Sequence, residues 1–306
     1  MNYRVGLLFL CSMWADAALS QACCTATGSN EFAVVGRCQQ GVIASQLSFE
    51  RAFGSHNRDG EYRPLGRGHV QDFVMNVGAG FRLFDPRLQI SGVIPIRVQQ
   101  RHFGMNNKAQ SVGVGDTVLS LRFTALQDSM LGWTSGSPPF LDMIVLTRLP
   151  SGRGPHQAKP NQLGADVMGE GLFSFGGGAR LVSFITPAHA AFSSFIYEWR
   201  SMPIQSVERP SGDAMNLSAG YLYLMNFQWS VSVFANLRHV FRDHAFLDDN
   251  QGMTRLRSGA NINYVILVPT WEISASLTTD PLFSRAGRNI PYSGVNAAIT
   301  LKRSFL

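Results

Sequence analysis

The stretches that decide the fold are residues 72–84, DFVMNVGAGFRLF, and residues 88–103, LQISGVIPIRVQQRHF. In both, apolar side chains occupy every second position over most of the stretch, while polar, charged or small side chains fill many of the positions between. A period of two places the two sets on opposite faces of a β-strand. Only Asp85-Pro86-Arg87 separates the stretches, so they are predicted to form a hairpin with one apolar face.

The same alternation recurs along residues 41–306, and the connections between the stretches alternate between short and long. Such alternation is typical of an outer-membrane barrel, in which periplasmic turns are short and extracellular loops are long. The predicted strands begin near residues 41, 70, 88, 114, 140, 171, 190, 214, 229, 256, 270 and 294. Long external connections are predicted near residues 54–69, 103–113, 150–169, 202–213, 242–255 and 281–293. The connection at 127–139 breaks the rule, because it is long where a short turn is expected.

Charged residues avoid the apolar face of these strands. An arginine or lysine facing lipid near the midplane costs roughly 2 to 4 kcal/mol, so the arginines of a barrel turn inward. Only 15% of the residues are charged, and no run reaches the roughly 18 apolar residues of a membrane helix. The sequence therefore predicts an all-β protein: a transmembrane, antiparallel, up-and-down β-barrel of about 12 strands in the bacterial outer membrane.

The first 22 residues are predicted to be a secretory signal peptide, with Arg4, an apolar stretch and a small-x-small site at residues 20–22. Residues 23–40 are predicted to be a periplasmic lead-in to the barrel, which spans 41–306. Removal of the signal peptide takes away Cys11 and leaves three cysteines. Cys38 is expected to form a disulfide with Cys23 or Cys24, so that one of these two remains unpaired. Lipidation of Cys23 is an alternative, although Ser20 stands where a lipid-attachment signal normally has Leu.

Two local motifs resemble those of a known family. Residues 113–119, GVGDTVL, and residues 149–152, LPSG, resemble the "GxGD" strand and the "LPTG" strand end of the outer-membrane transporters named after the meta-cleavage pathway of phenol degradation. Ser151 replaces the Thr of the second motif. The resemblance implies a barrel that passes small, often apolar or aromatic, molecules, and it implies no catalytic residues.

Because alternate positions of a strand face opposite sides, the positions between the apolar residues are predicted to face the lumen, and many of them are charged. These predicted lumen-lining residues are Arg82, Arg97, Arg101, Arg122, Arg148, Arg180, Arg200 and Arg238, with Asp116 and Glu198 as counter-charges. One interpretation is passive passage of small solutes, apolar, aromatic or carboxylate-bearing, because arginine offers carboxylates a bidentate fork. The alternative is a plugged barrel with a structural or surface-recognition role, in which arginines and acids pair across neighbouring strands.

Enzymatic chemistry is the less favoured interpretation. An outer-membrane hydrolase needs a serine activated by a nearby histidine, and neither Ser55-His56 nor His189 with Ser193 has the expected arrangement. Asp243-His244 and the oxygen-rich residues 248–252 are typical of solvated loops. We expect no enzymatic activity, no cofactor or metal and no nucleic-acid partner. The expected partners are outer-membrane lipid and lipopolysaccharide, a small solute, and the outer-membrane assembly machinery acting on the C-terminal strand.

Overall fold

The structure is a computed structural model in which alternating strands close into a barrel. The described residues are 33–35, 39–57, 59–66, 68–103, 107–126, 139–154, 157–159, 162–186, 188–200, 212–226, 228–241, 253–267, 271–280 and 290–305. The strands are β1 Gly41–His56, β2 Tyr62–Pro64, β3 His69–Arg82, β4 Leu88–Phe103, β5 Asn107–Val114, β6 Thr117–Leu126, β7 Phe140–Leu149, β8 Ser174–Thr186, β9 His189–Arg200, β10 Ala214–Leu224, β11 Trp229–Val240, β12 Met253–Leu267, β13 Trp271–Thr279 and β14 Ile290–Phe305.

The barrel has twelve strand positions, as predicted. β5 and β6 share one position, because both pair with β4 along different parts of its length. β2 is a three-residue strand that pairs with the end of β1. Every neighbouring pair is antiparallel, and β14 pairs with β1 from Gly41 opposite Phe305 to His56 opposite Ile290. The sheet is therefore a closed barrel. No helix in the described part of the chain is long and apolar enough to cross a membrane.

Several strands begin a few residues from the predicted positions, and one predicted connection is wrong. The region 103–113 was expected to be a long external connection before a strand starting near 114, but most of it is β5. β5 continues the outward alternation with Lys108, Gln110, Val112 and Val114, so the two outward side chains furthest from the membrane centre are polar. Because the apolar half of the pattern disappears there, the period of two could not be recognised from the sequence.

The two faces of the barrel differ as the alternation predicts. Outward apolar side chains such as Leu47 and Ile94 are 59% and 49% exposed, whereas the inward Arg180 is 1% exposed. At the end with the short connections, the rings of Trp229 and Tyr264 lie 4.5 Å apart on the outward face. Aromatic side chains at this level are typical of membrane interfaces. An exposed apolar band on a closed barrel places the protein in the bacterial outer membrane.

The predicted lead-in contributes a short buried segment. Ala33, Val34 and Val35 are at most 7% exposed, and Ala33 packs with the inward side chains Ala44 and Val93. The backbone N–H of Val35 donates to Oε1 of Gln89 over 3.0 Å. Residues 1–32, Cys38 and nearly all of the exceptional connection at 127–139 lie outside the described residues.

Candidate functional site

The two motifs that carry the family resemblance meet in space. The Ser151 hydroxyl donates to the carbonyl of Gly115 over 2.8 Å, and the backbone N–H of Thr117 donates to Ser151 Oγ over 2.9 Å. The Asp116 carboxylate accepts the N–H of Gly152 over 3.1 Å and that of Glu170 over 2.6 Å. We call this contact between residues 115–117, 151–152 and 169–170 the joint. Asp116 therefore holds two points of the chain that follows β7.

Two glycines make the joint possible. A Cβ on Gly152 would come within 2.9 Å of the backbone of Gly115 and within 3.0 Å of the Gly169 nitrogen. A Cβ on Gly169 would overlap the Asp116 carboxylate. Both positions bring backbone to backbone or to a carboxylate, so neither has room for a side chain. The spacing of GxGD and LPSG thus encodes a close contact.

The described residues of the connection between β7 and β8, residues 150–173, fold into the barrel, and we call this connection the lumen loop. In its described part, Ala165, Met168 and Leu172 are at most 5% exposed. The carbonyl of Arg153 accepts the N–H groups of Met168 and Gly169 over 2.9 and 3.1 Å, which closes the base of the loop. An external connection was predicted here, and the position of the loop inside the lumen was not.

Asp166 stabilises the lumen loop from within. Its carboxylate accepts the N–H of Lys159 over 2.9 Å and the Arg153 guanidinium over 3.2 Å. Burial alone would raise the pKa of Asp166, but these hydrogen bonds outweigh it and hold the pKa below its usual range. The carboxylate is therefore ionised whenever the loop is folded at neutral pH.

Glu170 ties the lumen loop to the opposite wall. Its carboxylate lies 2.7 Å from Arg238 of β11 and 3.2 Å from Arg200 of β9. Burial favours the neutral acid, but the positive charges of Arg238, Arg200 and Arg148 lower the pKa of Glu170 to about 2. The chain therefore crosses the lumen from the joint at β5 and β6 to the wall formed by β9 to β11.

Most of the predicted lumen residues are engaged in ion pairs. Arg101 binds Asp72 over 2.6 Å, Arg122 binds Asp142, and Arg148 lies 3.5 Å from Glu198. Arg180 is directly opposite Asp142 in the register of β7 and β8. Glu198 also accepts the amide of Asn216 over 3.1 Å. Ion pairs between strands of the wall thus neutralise much of the positive charge.

Arg97 and Arg82 differ from this group. Arg97 is half-buried on the inward face of β4 beside the joint, and its Nε has no hydrogen-bond partner. Among the described residues, it forms no ion pair. Arg82 lies at the short-connection end, where its guanidinium donates to the carbonyl of Pro86. Arg97 is consequently the predicted lumen arginine beside the lumen loop that has no ion-pair partner among the described residues.

A second cluster of charges was not predicted. Arg255 donates to Asp280 over 2.7 and 2.8 Å and to Glu50 over 2.8 Å, and Arg257 binds both acids as well. Asp280 also accepts the N–H of Gly294 over 3.0 Å. We call these four charged residues the seam cluster, because they link β1, β12 and the chain on either side of the β13–β14 connection. The sequence signal was weak, because the predicted strand began near 256 and excluded Arg255.

The candidate catalytic and metal positions show other contacts or lie outside the described residues. His56 is 3% exposed and packs edge to face against Tyr62, while His189 contacts the hydroxyl of Tyr221. Asp243, His244 and residues 248–252 are outside the described part. In the described part, no group of three or more His, Cys, Asp or Glu side chains could hold a metal ion.

Comparison with known proteins identifies a solved structure with the same fold. No family model matches the chain, and no curated protein matches it. An outer-membrane channel from Pseudomonas putida F1 superposes with a TM-score of 0.70 at 14% identity, over 91% of this chain and 99% of that chain. That likeness establishes a shared fold. The CymD monoaromatic hydrocarbon channel has a TM-score of 0.42 at 9% identity, over 88% of this chain and 90% of that chain, which is too distant to support an inference.

Proposed function

We propose that the protein is a passive outer-membrane channel for small solutes, narrowed by the lumen loop. The observation that carries the proposal is the attachment of this loop at two opposite walls, through Asp116 at the joint and through Glu170 at Arg200 and Arg238. A segment held across a barrel sets the width of the remaining path. The shared fold with an outer-membrane channel supports the same function.

The proposed solute carries a carboxylate on a small apolar or aromatic body. Arg97 is the one predicted lumen arginine for which the described residues provide neither an ion pair nor a hydrogen bond, and guanidinium binds carboxylates through two parallel hydrogen bonds. The apolar part of the solute rests on the family resemblance. Most of the other predicted lumen arginines would shape the path as members of ion pairs, since carboxylates in the lumen offset much of their charge.

Membership of the phenol-pathway transporter family is part of this proposal. Its support is that the two resembling motifs form one joint, in which Ser151 supplies the hydroxyl that Thr would supply. The proposal also includes recognition of β14 by the outer-membrane assembly machinery. β14 carries outward apolar residues up to Phe305, which is 37% exposed. No catalytic role is proposed for any residue.

The test is single-channel conductance of the refolded, full-length protein in a planar bilayer. We expect discrete steps in the wild type, with an anion preference that falls in Arg97→Gln. Arg303→Gln is the matched control, because Arg303 is an outward residue stacked on Trp271 and Phe305 and its loss removes the same charge from outside the lumen. Equal selectivity in both variants would contradict a role for Arg97.

A plugged structural or surface-recognition barrel is the second candidate. Two observations favour it: the extensive ion pairing in the lumen, and the burial of Ala33 to Val35 against inward side chains. A silent barrel that still shows the heat-modifiable migration of a folded outer-membrane protein would support this candidate over the channel.

A further inference from the structure

Two rows of polar side chains lie on the outward face of β1, β3, β4 and β5, at the end of the barrel with the long connections. The register places Arg51, Gln71, Gln100 and Gln110 side by side in the first row. The second row, one pair further along the strands, contains His69, His102 and Lys108. We call the two rows the rim patch. These side chains face away from the lumen and so are available to the membrane.

The rim patch continues directly from the apolar band. The next outward row toward the membrane centre holds Phe49, Phe73, Val98 and Val112, and the rings of Phe49 and Phe73 are 4.7 Å apart. A polar row on top of an apolar row matches the boundary between the acyl chains and the headgroup of a lipid. The rim patch therefore lies at headgroup level in the outer leaflet.

The charge of the rim patch is positive. Arg51 and Lys108 are exposed at its two sides, and Arg63 of β2 extends it. The nearest strand carboxylates, Glu50 and Asp72, are opposite each other on the inward face, where Arg257 and Arg101 bind them. Among the described residues of these strands, no carboxylate shares the outward face with the patch. No ion pair between described residues engages Arg51, Lys108 or Arg63.

The opposite side of the rim has different chemistry. On β8 and β9, Phe175 and Trp199 stack with ring centroids 6.3 Å apart, and Tyr197 packs edge to face on Trp199. Aromatic side chains are the ordinary interfacial residues of a barrel. The concentration of amides, imidazoles and cations on β1 to β5 therefore needs a different partner from the general lipid interface.

We propose that the rim patch binds the phosphorylated glucosamine headgroup of lipopolysaccharide. Arg51 and Lys108 supply charge for the phosphates, and the glutamine row supplies donors and acceptors for sugar hydroxyls and amides. The acyl chains lie on the apolar row beneath. The two imidazoles, whose Nδ1 atoms are 3.2 Å apart, widen the polar surface between the cations. This surface is outside the barrel and is independent of the solute path.

The test compares binding of lipid A to the full-length protein in detergent by native mass spectrometry. The probes are bisphosphorylated lipid A and the same lipid after removal of both phosphates. We expect the wild type to prefer the phosphorylated form. The double variant Arg51→Gln/Lys108→Gln should bind it about 25-fold more weakly, since each cation near an anionic lipid surface contributes about fivefold.

Arg303→Gln is again the matched control, because Arg303 is outward-facing but lies at the short-connection end, which lipopolysaccharide does not reach. Its affinity for lipid A should equal that of the wild type. An equal loss in Arg303→Gln and in the double variant would overturn the proposal, and so would equal binding of both probes to the wild type. Equal binding of both probes would overturn the proposal without any mutation, so the proposal remains testable even where a variant folds poorly.

Discussion

Glu170 and the seam cluster both form ion pairs between carboxylates and arginines, but these ion pairs have different roles. In each, carboxylates bind arginines from non-adjacent parts of the barrel. In the seam cluster, Glu50 and both arginines belong to strands, and Asp280 directly follows β13 and holds Gly294 of β14. Glu170 instead belongs to a connection, and only its arginines belong to the wall. The seam cluster thus fastens the wall, whereas Glu170 positions a segment within it.

The seam cluster and Glu170 also differ in how exposed their carboxylates are. The side chain of Asp280 is fully buried, while a third of the Glu170 side chain remains exposed. Breaking a buried ion pair leaves an uncompensated charge in a dry environment, whereas an exposed pair is replaced by water at little cost. We therefore expect the seam cluster to control stability and Glu170 to control conductance.

The largest expected effect is the loss of Asp280. Asp280→Asn should lower the free energy of unfolding by about 3 kcal/mol, because Arg255 and Arg257 lose their shared acid. The measurement is urea unfolding in lipid vesicles, monitored by tryptophan fluorescence. Asp85→Asn is the control, since Asp85 pairs with Arg87 in an exposed turn and its loss should leave the midpoint unchanged. Equal shifts of the unfolding midpoint in both variants would show that the seam cluster does not stabilise the barrel.

The fold could be predicted because the wall obeys a local rule. Alternation with period two indicates which face of each strand meets lipid, and the predicted starts at 41, 88, 140, 214 and 229 coincide with those of β1, β4, β7, β10 and β11. β5 was not predicted, because its outward residues Lys108 and Gln110 are polar. The rule therefore fails where a strand rises out of the apolar band.

The site was predictable only in part, because its contacts are long-range. The sequence indicates that residues 115–117 and 151–152 belong to informative motifs, but not that they meet across 34 to 36 positions. Glu170 lies in a loop without alternation, so parity could not assign it to the lumen. The Glu50–Arg255 contact spans 205 positions, and no local pattern predicts it.

The next largest effect is expected at the joint. Asp116→Ala leaves the N–H groups of Gly152 and Glu170 without their acceptor, which should cost about 1 to 3 kcal/mol and loosen the lumen loop. The single-channel conductance should rise while the seam cluster stays intact. Gly169→Ala, which places a methyl group against the Asp116 carboxylate, should give the same change. An unchanged conductance in both variants would show that the loop does not set the width of the path.

A smaller effect is expected from neutralising Glu170, which ties the lumen loop to β9 and β11. Glu170→Gln keeps the shape of the side chain but releases the charges of Arg200 and Arg238. The stability should fall by about 1 kcal/mol, less than for Asp280, because Glu170 and Arg238 are partly exposed and only Arg200 is buried. The anion preference of the pore should increase, since two guanidinium groups lose their counter-charge. A decreased anion preference would indicate that the arginines face away from the conducting path.

The smallest expected effect is a change in the conductance at the low pH at which Glu170 takes up its proton. Its pKa of about 2 lies below the usual 4.5, so the contribution of its ionised form to loop anchoring is fully present above pH 4.5 and is lost as the pH falls toward 2. The conductance of the wild type should therefore stay constant between pH 7 and pH 4 and change only in stronger acid. Glu170→Gln lacks this group and should show no corresponding step, which separates Glu170 from the other acids of the lumen. A wild-type transition centred near pH 4.5 that is absent from Glu170→Gln would mean that Arg200 and Arg238 do not hold the carboxylate in its charged form.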